Sequence, residues 1–361
     1  MIEGTKSKLR VGVVGCGNIS GIYLQNSKNA CCFEVVGVSD ADTVRAAAKA
    51  SEHGTARAMS LDELIEGGAT DVVLNLTPPA AHAEIAVRAL RAGKHVYNEK
   101  PLAIGLDDAR AMLDLAKRKG RLVGCAPDTF LGAAWATARR TIDDGEIGRV
   151  VAGSCVMLSG GPEAWHPDPE FFFAPGAGPL FDMGPYYLTA LVHLLGPVAR
   201  VTAIARATHA TRTIGSGAKK GTQIGVKTPT HIAGVMEFAG GAVVTLTTSF
   251  DVPACRLPPI QLHGTAGALH LPDPNYFGGE VSMQRAGAKE CEVLALVRGA
   301  EHNARGLGLD DLCAAAVGDR TARASGSLAL HVLEVMHGML RSQDERRHVE
   351  IESRVERPLP L

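Results

Sequence analysis

Leu9-Arg10-Val11-Gly12-Val13-Val14-Gly15-Cys16-Gly17-Asn18-Ile19-Ser20-Gly21 is the stretch that decides the fold. A short β-rich apolar run passes directly into Gly15-x-Gly17-x-x-Ser20, the form of a strand, a tight turn and the start of a helix. In that form the first glycine permits the sharp turn, the second lets the backbone approach a pyrophosphate, and a small third residue lets the helix lie close to the strand. The free N–H groups of the helix start then face the phosphates. Ser20 stands where glycine or alanine is usual, so the turn alone is ambiguous and its neighbours must decide.

Those neighbours alternate. Phe33 to Ser39 is a second apolar strand, and Asp40 ends it about 20 residues past the turn, where the dinucleotide fingerprint places an acid on the ribose hydroxyls. Such an acid repels a 2'-phosphate and favours NAD over NADP. The same Asp40 could instead cap the next helix, and Asp42 could share either role. Thr43 to His53 reads as a helix, Ser60-x-x-Glu63 as a capping box, and Asp71 to Thr77 as a buried strand halted by Pro78-Pro79. Ala80 to Ala92 and Leu106 to Lys119 read as helices, Lys94 to Tyr97 and Leu122 to Cys125 as strands. The alternation predicts an α/β fold, a doubly wound parallel sheet over residues 1–126.

Composition limits the function classes. With 361 residues, 46% hydrophobic and 21% charged, the chain can bury two full domains and is not disordered. A net charge of -1 gives no general drive toward nucleic acid or anionic lipid. The eight cysteines (16, 31, 32, 125, 155, 255, 291 and 313) show no CxxC pair and no metal spacing, so they read as reduced thiols and no metal is expected. Met1 to Lys8 is polar, without a signal-peptide core, and no run approaches a membrane span; a soluble, cytoplasmic protein is expected.

Gly93-Lys94-His95-Val96-Tyr97-Asn98-Glu99-Lys100-Pro101-Leu102 carries the chemistry. A lysine directly after a buried strand, beside a nicotinamide site, can donate a hydrogen bond to a substrate oxygen and stabilise a developing alkoxide. With the first glycine turn, Thr77-Pro78-Pro79 followed by His82, and Gly93-Lys94-His95-Val96 in order, Glu99-Lys100-Pro101 resembles the signature of the Gfo/Idh/MocA family of sugar and inositol oxidoreductases. The resemblance spans essentially the whole chain and is sharpest in its first third. It implies that Lys100 is catalytic and that its bond to Pro101 is cis. It also implies a cofactor site of Gly15, Gly17, Asn18, Ile19, Asp40, Thr77, Pro78, His82, Glu99 and Lys100, with NAD as cofactor.

After Pro127 the alternation stops, so a boundary is placed near residue 126 and a second, α+β domain over 127–361. Leu131 to Asp144 reads as a helix, Val150 to Leu158 as a strand, and seven further strands follow between Val198 and Leu296, without intervening helices. Ser325 to Arg341 is a long helix and Val349 to Ile351 a last strand. Such a run makes a large, mostly antiparallel sheet; in the resembling family its open face packs against a second subunit, which implies a homodimer or homotetramer. Gly215 to Gly225 reads as a solvated basic loop tip.

Within this half, Gly176-Ala177-Gly178-Pro179-Leu180-Phe181-Asp182-Met183-Gly184-Pro185-Tyr186 enters a helix running to Leu195, with Asp182 and Tyr186 spaced i, i+4 on one side. Many members of the family carry Asp and His at this spacing, the His being the acid/base. Tyr186 takes the His place, and a phenol near a lysine ammonium has a lowered pKa, so that its phenolate can accept the hydroxyl proton. A tyrosine that only packs the helix start, with Asp182 as its cap, is the structural alternative. His166, in Trp165-His166-Pro167-Asp168-Pro169, is the other candidate base. Trp165 and His166 are also candidate sugar contacts, Asp128 a weaker one, and His193 reads as a core or interface residue. The expectation is an NAD-dependent oxidoreductase of a secondary alcohol in a sugar, glycoside or cyclitol. A glycosidase working by transient oxidation, or a non-catalytic NAD-binding regulator, would share the fold.

Overall fold

The structure is a computed structural model and describes residues 8–54, 56–318 and 320–360. Of the amino-terminal stretch read above, residues 1–7 lie outside the described residues. The chain divides into two compact units, Met1–Leu131 with Asn303–Leu330, and Gly132–His302 with His331–Leu361.

The first unit alternates as its sequence demands. Its elements are β1 (Leu9–Val14), α1 (Ser20–Ser27), β2 (Phe33–Ser39), α2 (Thr43–His53), β3 (Arg57–Ala58), α3 (Leu61–Glu66), β4 (Val72–Asn75), α4 (His82–Arg91), β5 (His95–Asn98), α5 (Leu106–Lys119) and β6 (Val123–Cys125). The strands form a six-stranded, wholly parallel sheet in the order β3-β2-β1-β4-β5-β6. Chain direction across the sheet reverses between β1 and β4, the crevice where such sheets bind ligands. Near-continuous apolar strands are what a sheet covered on both faces requires, and Val11, Val13, Val72, Val73 and Val96 are fully buried. The capping box at Ser60 and Glu63 is present. Asp42, not Asp40, caps α2, accepting from the N–H groups of Val44 and Arg45.

Where the sequence places one boundary near residue 126, the chain instead returns to this unit through Asn303–Leu330, including the helix α8 (Leu307–Val317) that its periodicity did not announce. Asn26 donates to the carbonyls of Asn303 and Arg305, and Cys32 N–H to Asp310 at 2.7 Å. Asp128 fastens the return. It is 1% exposed, and its Oδ2 accepts the N–H groups of Gly306 and Gly308, each at 2.9 Å.

The second unit opens with α6 (Ala133–Asp143) and β7 (Val150–Leu158), followed by α7 (Pro179–Leu195), β8 (Val198–Arg206) and a small hairpin of β9 (Thr211–Thr213) and β10 (Gln223–Gly225). Then come β11 (His231–Phe238), β12 (Val243–Ser249), β13 (Ile260–Gly264), β14 (Gly267–Leu271), β15 (Ser282–Arg285), β16 (Glu292–Val293), α9 (Gly326–Glu345) and β17 (Val349–Glu350). Nine strands make one sheet, β16-β15-β14-β13-β7-β12-β11-β8-β17, antiparallel except for the β7/β12 pair. On one face lie α7 and α9. Ser342 of α9 accepts the N–H of Ala203, and His331 Nε2 accepts that of Val198 at 2.9 Å. The other face leaves Ile204, Val235 and Val243 exposed. The segment read as a solvated tip, Gly215 to Gly225, is corrected at its base: Ile214 and Ile224 are buried with Phe173 and Phe250.

Burial pushes the Asp128 carboxyl up to about 6, against the pull of the Gly308 and Gly306 N–H groups. A carboxyl with a raised folded pKa favours the folded state most below its ordinary value of 3.8, and that contribution is lost as pH rises to about 6. Linkage puts roughly 3 kcal/mol on this slope. In Asp128→Asn the amide keeps an acceptor for the two N–H groups and cannot ionise. Thermal melts from about pH 4 to pH 7 should show the wild type losing stability relative to the variant as pH rises; parallel curves would refute the assignment.

Candidate functional site

The glycine turn is built by close approach. Gly15 has φ +99°, and a Cβ there would stand 2.7 Å from the Leu76 carbonyl carbon, so only glycine lets the end of β1 pass the end of β4. Gly17 is the opposite case: a Cβ would meet nothing within 4 Å, leaving its backbone open to a ligand. Ser20, the irregular third position, is fully buried and donates its hydroxyl to the Gly17 carbonyl at 2.6 Å, so it ties the helix to the turn with a hydrogen bond. Beyond it α1 begins without a side-chain cap and without an acid in its first turn. An uncapped N-terminus beside an open glycine fits a pyrophosphate.

Asp40 closes the turn from the β2 side. Its Oδ2 accepts the Cys16 N–H at 2.7 Å, and its Oδ1 accepts the Asp42 N–H and the Arg45 guanidinium at 2.8 and 3.0 Å. Burial opposes its ionisation, but those N–H donors and Arg45 outweigh it and hold the carboxyl below the usual range. Burial, with Asp40 next, pushes the Cys16 thiol up to about 11, so the cysteine in the turn stays protonated.

Two asparagines that sequence reading passed over organise the loops after β4 and β5. Asn75 Nδ2 donates to Asn98 Oδ1 at 3.0 Å and to the His82 carbonyl, while its Oδ1 accepts the Thr77 hydroxyl at 2.7 Å. Asn98 Nδ2 reaches the Leu102 carbonyl at 3.1 Å. Both asparagines are fully buried, and their only sequence signal was a polar residue ending an otherwise apolar strand. The ring nitrogens of His82 lie 2.7 Å from the Pro101 carbonyl oxygen and 2.8 Å from that of Thr77, and burial pushes this imidazole down. The Lys100–Pro101 bond is cis. Glu99 accepts the Lys100 N–H at 2.8 Å and the Tyr23 hydroxyl at 3.2 Å. Gly15, Gly17, Asp40, Thr77, His82, Glu99 and Lys100 thus sit on the strand ends and loops of one sheet edge.

Asp128 is not on a surface that could meet a sugar; its carboxylate is spent on the 306–308 turn. In the second unit, Asp182 and Tyr186 lie one turn apart in α7, Asp182 half-buried and Tyr186 7% exposed. The residue at the helix N-cap is Gly178, with no side-chain cap bond, so Asp182 is not a cap. His193 is buried in the core, and burial with the nearby Arg139 pushes its pKa down to about 3, which removes it as a general base at neutral pH. Trp165 is 66% exposed, and His166 Nδ1 accepts the Asp168 N–H at 3.1 Å. Among the described residues no group of three His, Cys, Asp or Glu could hold a metal ion, and no helix is long and apolar enough to cross a membrane.

Comparison with known proteins agrees with this geometry. Residues 9–126 match the family model of the NAD-binding Rossmann fold of the Gfo/Idh/MocA oxidoreductases, and residues 135–270 match the model of that family's C-terminal domain. A 1,5-anhydro-D-fructose reductase of Ensifer adhaerens is 29% identical over 265 residues, 72% of this chain and 74% of that protein. A D-glucoside 3-dehydrogenase of Escherichia coli is 28% identical over 257 residues, 68% and 71% of the two chains. Levoglucosan dehydrogenase in complex with NADH superposes with a TM-score of 0.82 over 97% of this chain and all of that one, at 21% identity, which speaks for the fold. With both halves matched in chain order, the chain belongs to the Gfo/Idh/MocA family of NAD-binding sugar oxidoreductases.

Proposed function

We propose that the protein is an NAD-dependent dehydrogenase of a secondary alcohol in a sugar, glycoside or cyclitol. The observation that supports this most is the lysine loop: Lys100 follows a buried strand, its backbone pinned through Glu99 to Tyr23 and through Pro101 to His82. A lysine held this firmly on the ligand edge is costly to keep for structure alone. NAD, when bound, supplies the hydride acceptor. Gly15, Gly17, Asn18 and Ile19 would hold its pyrophosphate, Asp40 its ribose, and Thr77, Pro78 and His82 the far side of the crevice. Lys100 donates a hydrogen bond to the substrate oxygen, Tyr186 as its phenolate accepts the hydroxyl proton, and Asp182 holds a neighbouring hydroxyl; His166 is the second choice for the proton. The relatives act on sugars as reductase and as dehydrogenase, so direction is left to experiment. A cytoplasmic location suits the eight free thiols.

The deciding experiment incubates the protein with NAD and hexoses, inositols and aryl glycosides, following NADH and released aglycone together. NADH accumulation supports the dehydrogenase; aglycone release without net NADH would replace it with a glycosidase, and tight NAD binding without any turnover with a regulator. Lys100→Ala should lower turnover by about 10²–10⁴-fold while NAD affinity stays within a few-fold; equal loss of both would make the lysine structural.

The two glycines separate folding from cofactor binding. Gly17→Ala should leave the melting temperature unchanged and weaken NAD binding by about tenfold or more, because its Cβ would occupy only ligand space. Gly15→Ala should lower stability itself, its Cβ meeting the Leu76 carbonyl in a left-handed backbone. Calorimetry and NAD titration read both, and NADP should bind at least about tenfold more weakly than NAD if Asp40 faces the ribose.

We also propose self-association through the open face of the nine-stranded sheet. Ile204, Val235 and Val243 are exposed there beside a 220 Å³ hollow lined in part by Arg200, Thr202 and Glu237. Sedimentation should give a dimer or tetramer, and Val235→Arg should shift it toward monomer without lowering the melting temperature. A wild-type monomer at micromolar concentration would refute it.

A further inference from the structure

The loop between β7 and α7 collects four aromatic rings of which the proton chemistry uses at most one. Trp165 and His166 meet edge to face with centroids 5.5 Å apart, His166 meets Phe171 and Phe172 at 5.4 and 5.3 Å, and Phe171 lies on Phe172 at 4.0 Å. Trp165 is 66% exposed and Phe171 54%. Two large rings left in water forgo burial free energy, and in a mobile loop they would fold down. These cannot, because the loop is bolted from beneath.

The bolt is Arg212 of β9, whose side chain is 11% exposed. One arm of its guanidinium donates to Glu163 at 2.7 Å and to the Gly160 carbonyl at 3.3 Å, both in the aromatic loop. The other arm donates to the Phe250 carbonyl at 2.7 Å and to Asp251, at the end of β12. Asp251 accepts the Thr230 hydroxyl at 2.7 Å, and the guanidinium stands 5.8 Å from the Phe173 ring centre. Beneath lie Phe173, Ile214, Ile224 and Phe250, with Phe172 packed against them. The hairpin adds a second tie, Lys219 to Asp168 and Glu170 at 2.7 and 2.8 Å. Two carboxylates on one buried cation, with Arg212 Nε and Glu163 Oε2 left without a hydrogen-bond partner, are a poor choice for stability, since apolar packing would cost less. What the cluster does secure is the position of the loop.

We propose that Trp165, His166, Phe171 and Phe172 form a platform for one carbohydrate ring, and that Arg212 is the residue that positions it. The inference rests on the reading of the protein as a sugar oxidoreductase. The C–H faces of a pyranose suit the negative faces of aromatic rings, while its equatorial hydroxyls reach the polar rim at His166, Asp168 and Glu170. A protein partner fits less well. The exposed parts of Trp165 and Phe171 total on the order of 300 Å², against about 800 Å² a side for a stable interface.

The chain has two tryptophans, and Trp135 is fully buried with its indole N–H bound to the Tyr276 carbonyl, so iodide quenching of fluorescence reports Trp165. Glucose, methyl glucoside and myo-inositol are titrated in turn with NAD present. At least one should lower the quenching constant by about twofold or more. For the sugar that is turned over, Trp165→Ala should raise KM by about tenfold with kcat within a few-fold. Arg212→Met should raise KM similarly and make Trp165 more quenchable without sugar, and Arg212→Lys should restore part of both. A sugar that yields NADH but gives no protection, with KM unchanged in Trp165→Ala, overturns the platform and leaves the redox reading standing. Protection without NADH from any sugar overturns the redox reading instead. Shielding that depends on protein concentration and not on sugar puts a second copy on the rings and also overturns the platform.

Discussion

The approach of Gly15 to the Leu76 carbonyl is the contact on which the first unit depends. The end of β1 and the end of β4 lie side by side at the point where strand order reverses, and a single methyl group would force them apart. Because they touch, backbone from both strand ends lines the crevice at this point. Everything attached to the β4 exit then has a fixed origin. Asn75 carries that origin across to Asn98 on β5, so the lysine loop is referenced to the glycine turn through buried hydrogen bonds with no long side chain in the path.

The same edge shows how local chemistry is kept from drifting. His82 spans the Thr77 and Pro101 carbonyls, and Tyr23 on α1 reaches Glu99, which holds the Lys100 N–H. Each tie joins a loop to a different neighbour, and each is buried or part-buried, where the loss of a hydrogen bond costs more than at the surface. These ties fix the backbone from which the Lys100 side chain starts.

Much of this was legible in the sequence because it is local. Helices α2 and α5 and strands β2 and β7 fall on the boundaries that periodicity sets, and the glycine turn, the capping box and the cis Lys100–Pro101 bond follow from short motifs. What escaped lies between residues far apart in the chain. Asp128 looked like a polar group near a substrate, yet its partners sit 178 and 180 residues on, in a segment whose return to the first unit no periodicity reveals. Arg212 drew no reading from the sequence, and only its placement between Glu163 and Asp251 makes it a buried node. The two-residue strand β3 is too short for alternation to register.

This division follows from what the two units must do. A dinucleotide is the same molecule in every enzyme that uses it, so its cradle can be written as a short string of glycines, an acid and a strand. A substrate differs from enzyme to enzyme, and the residues that shape its site are free to come from any loop that can be held still. In the second unit, ion pairs and packing hold a loop still between Gly160 and Asp251, over about ninety residues of chain. Local pattern carries little of such an arrangement, because each of its charges reads as an ordinary surface residue until the sheet brings its partner near. Tyr186 sharpens the point: it stands where the resemblance to the family leads one to expect histidine, and its meaning depends on a helix whose start is set by Gly178 and Pro179 and not by a side-chain cap. The glycine turn is thus specified by motif and the aromatic loop of the second unit by tertiary structure.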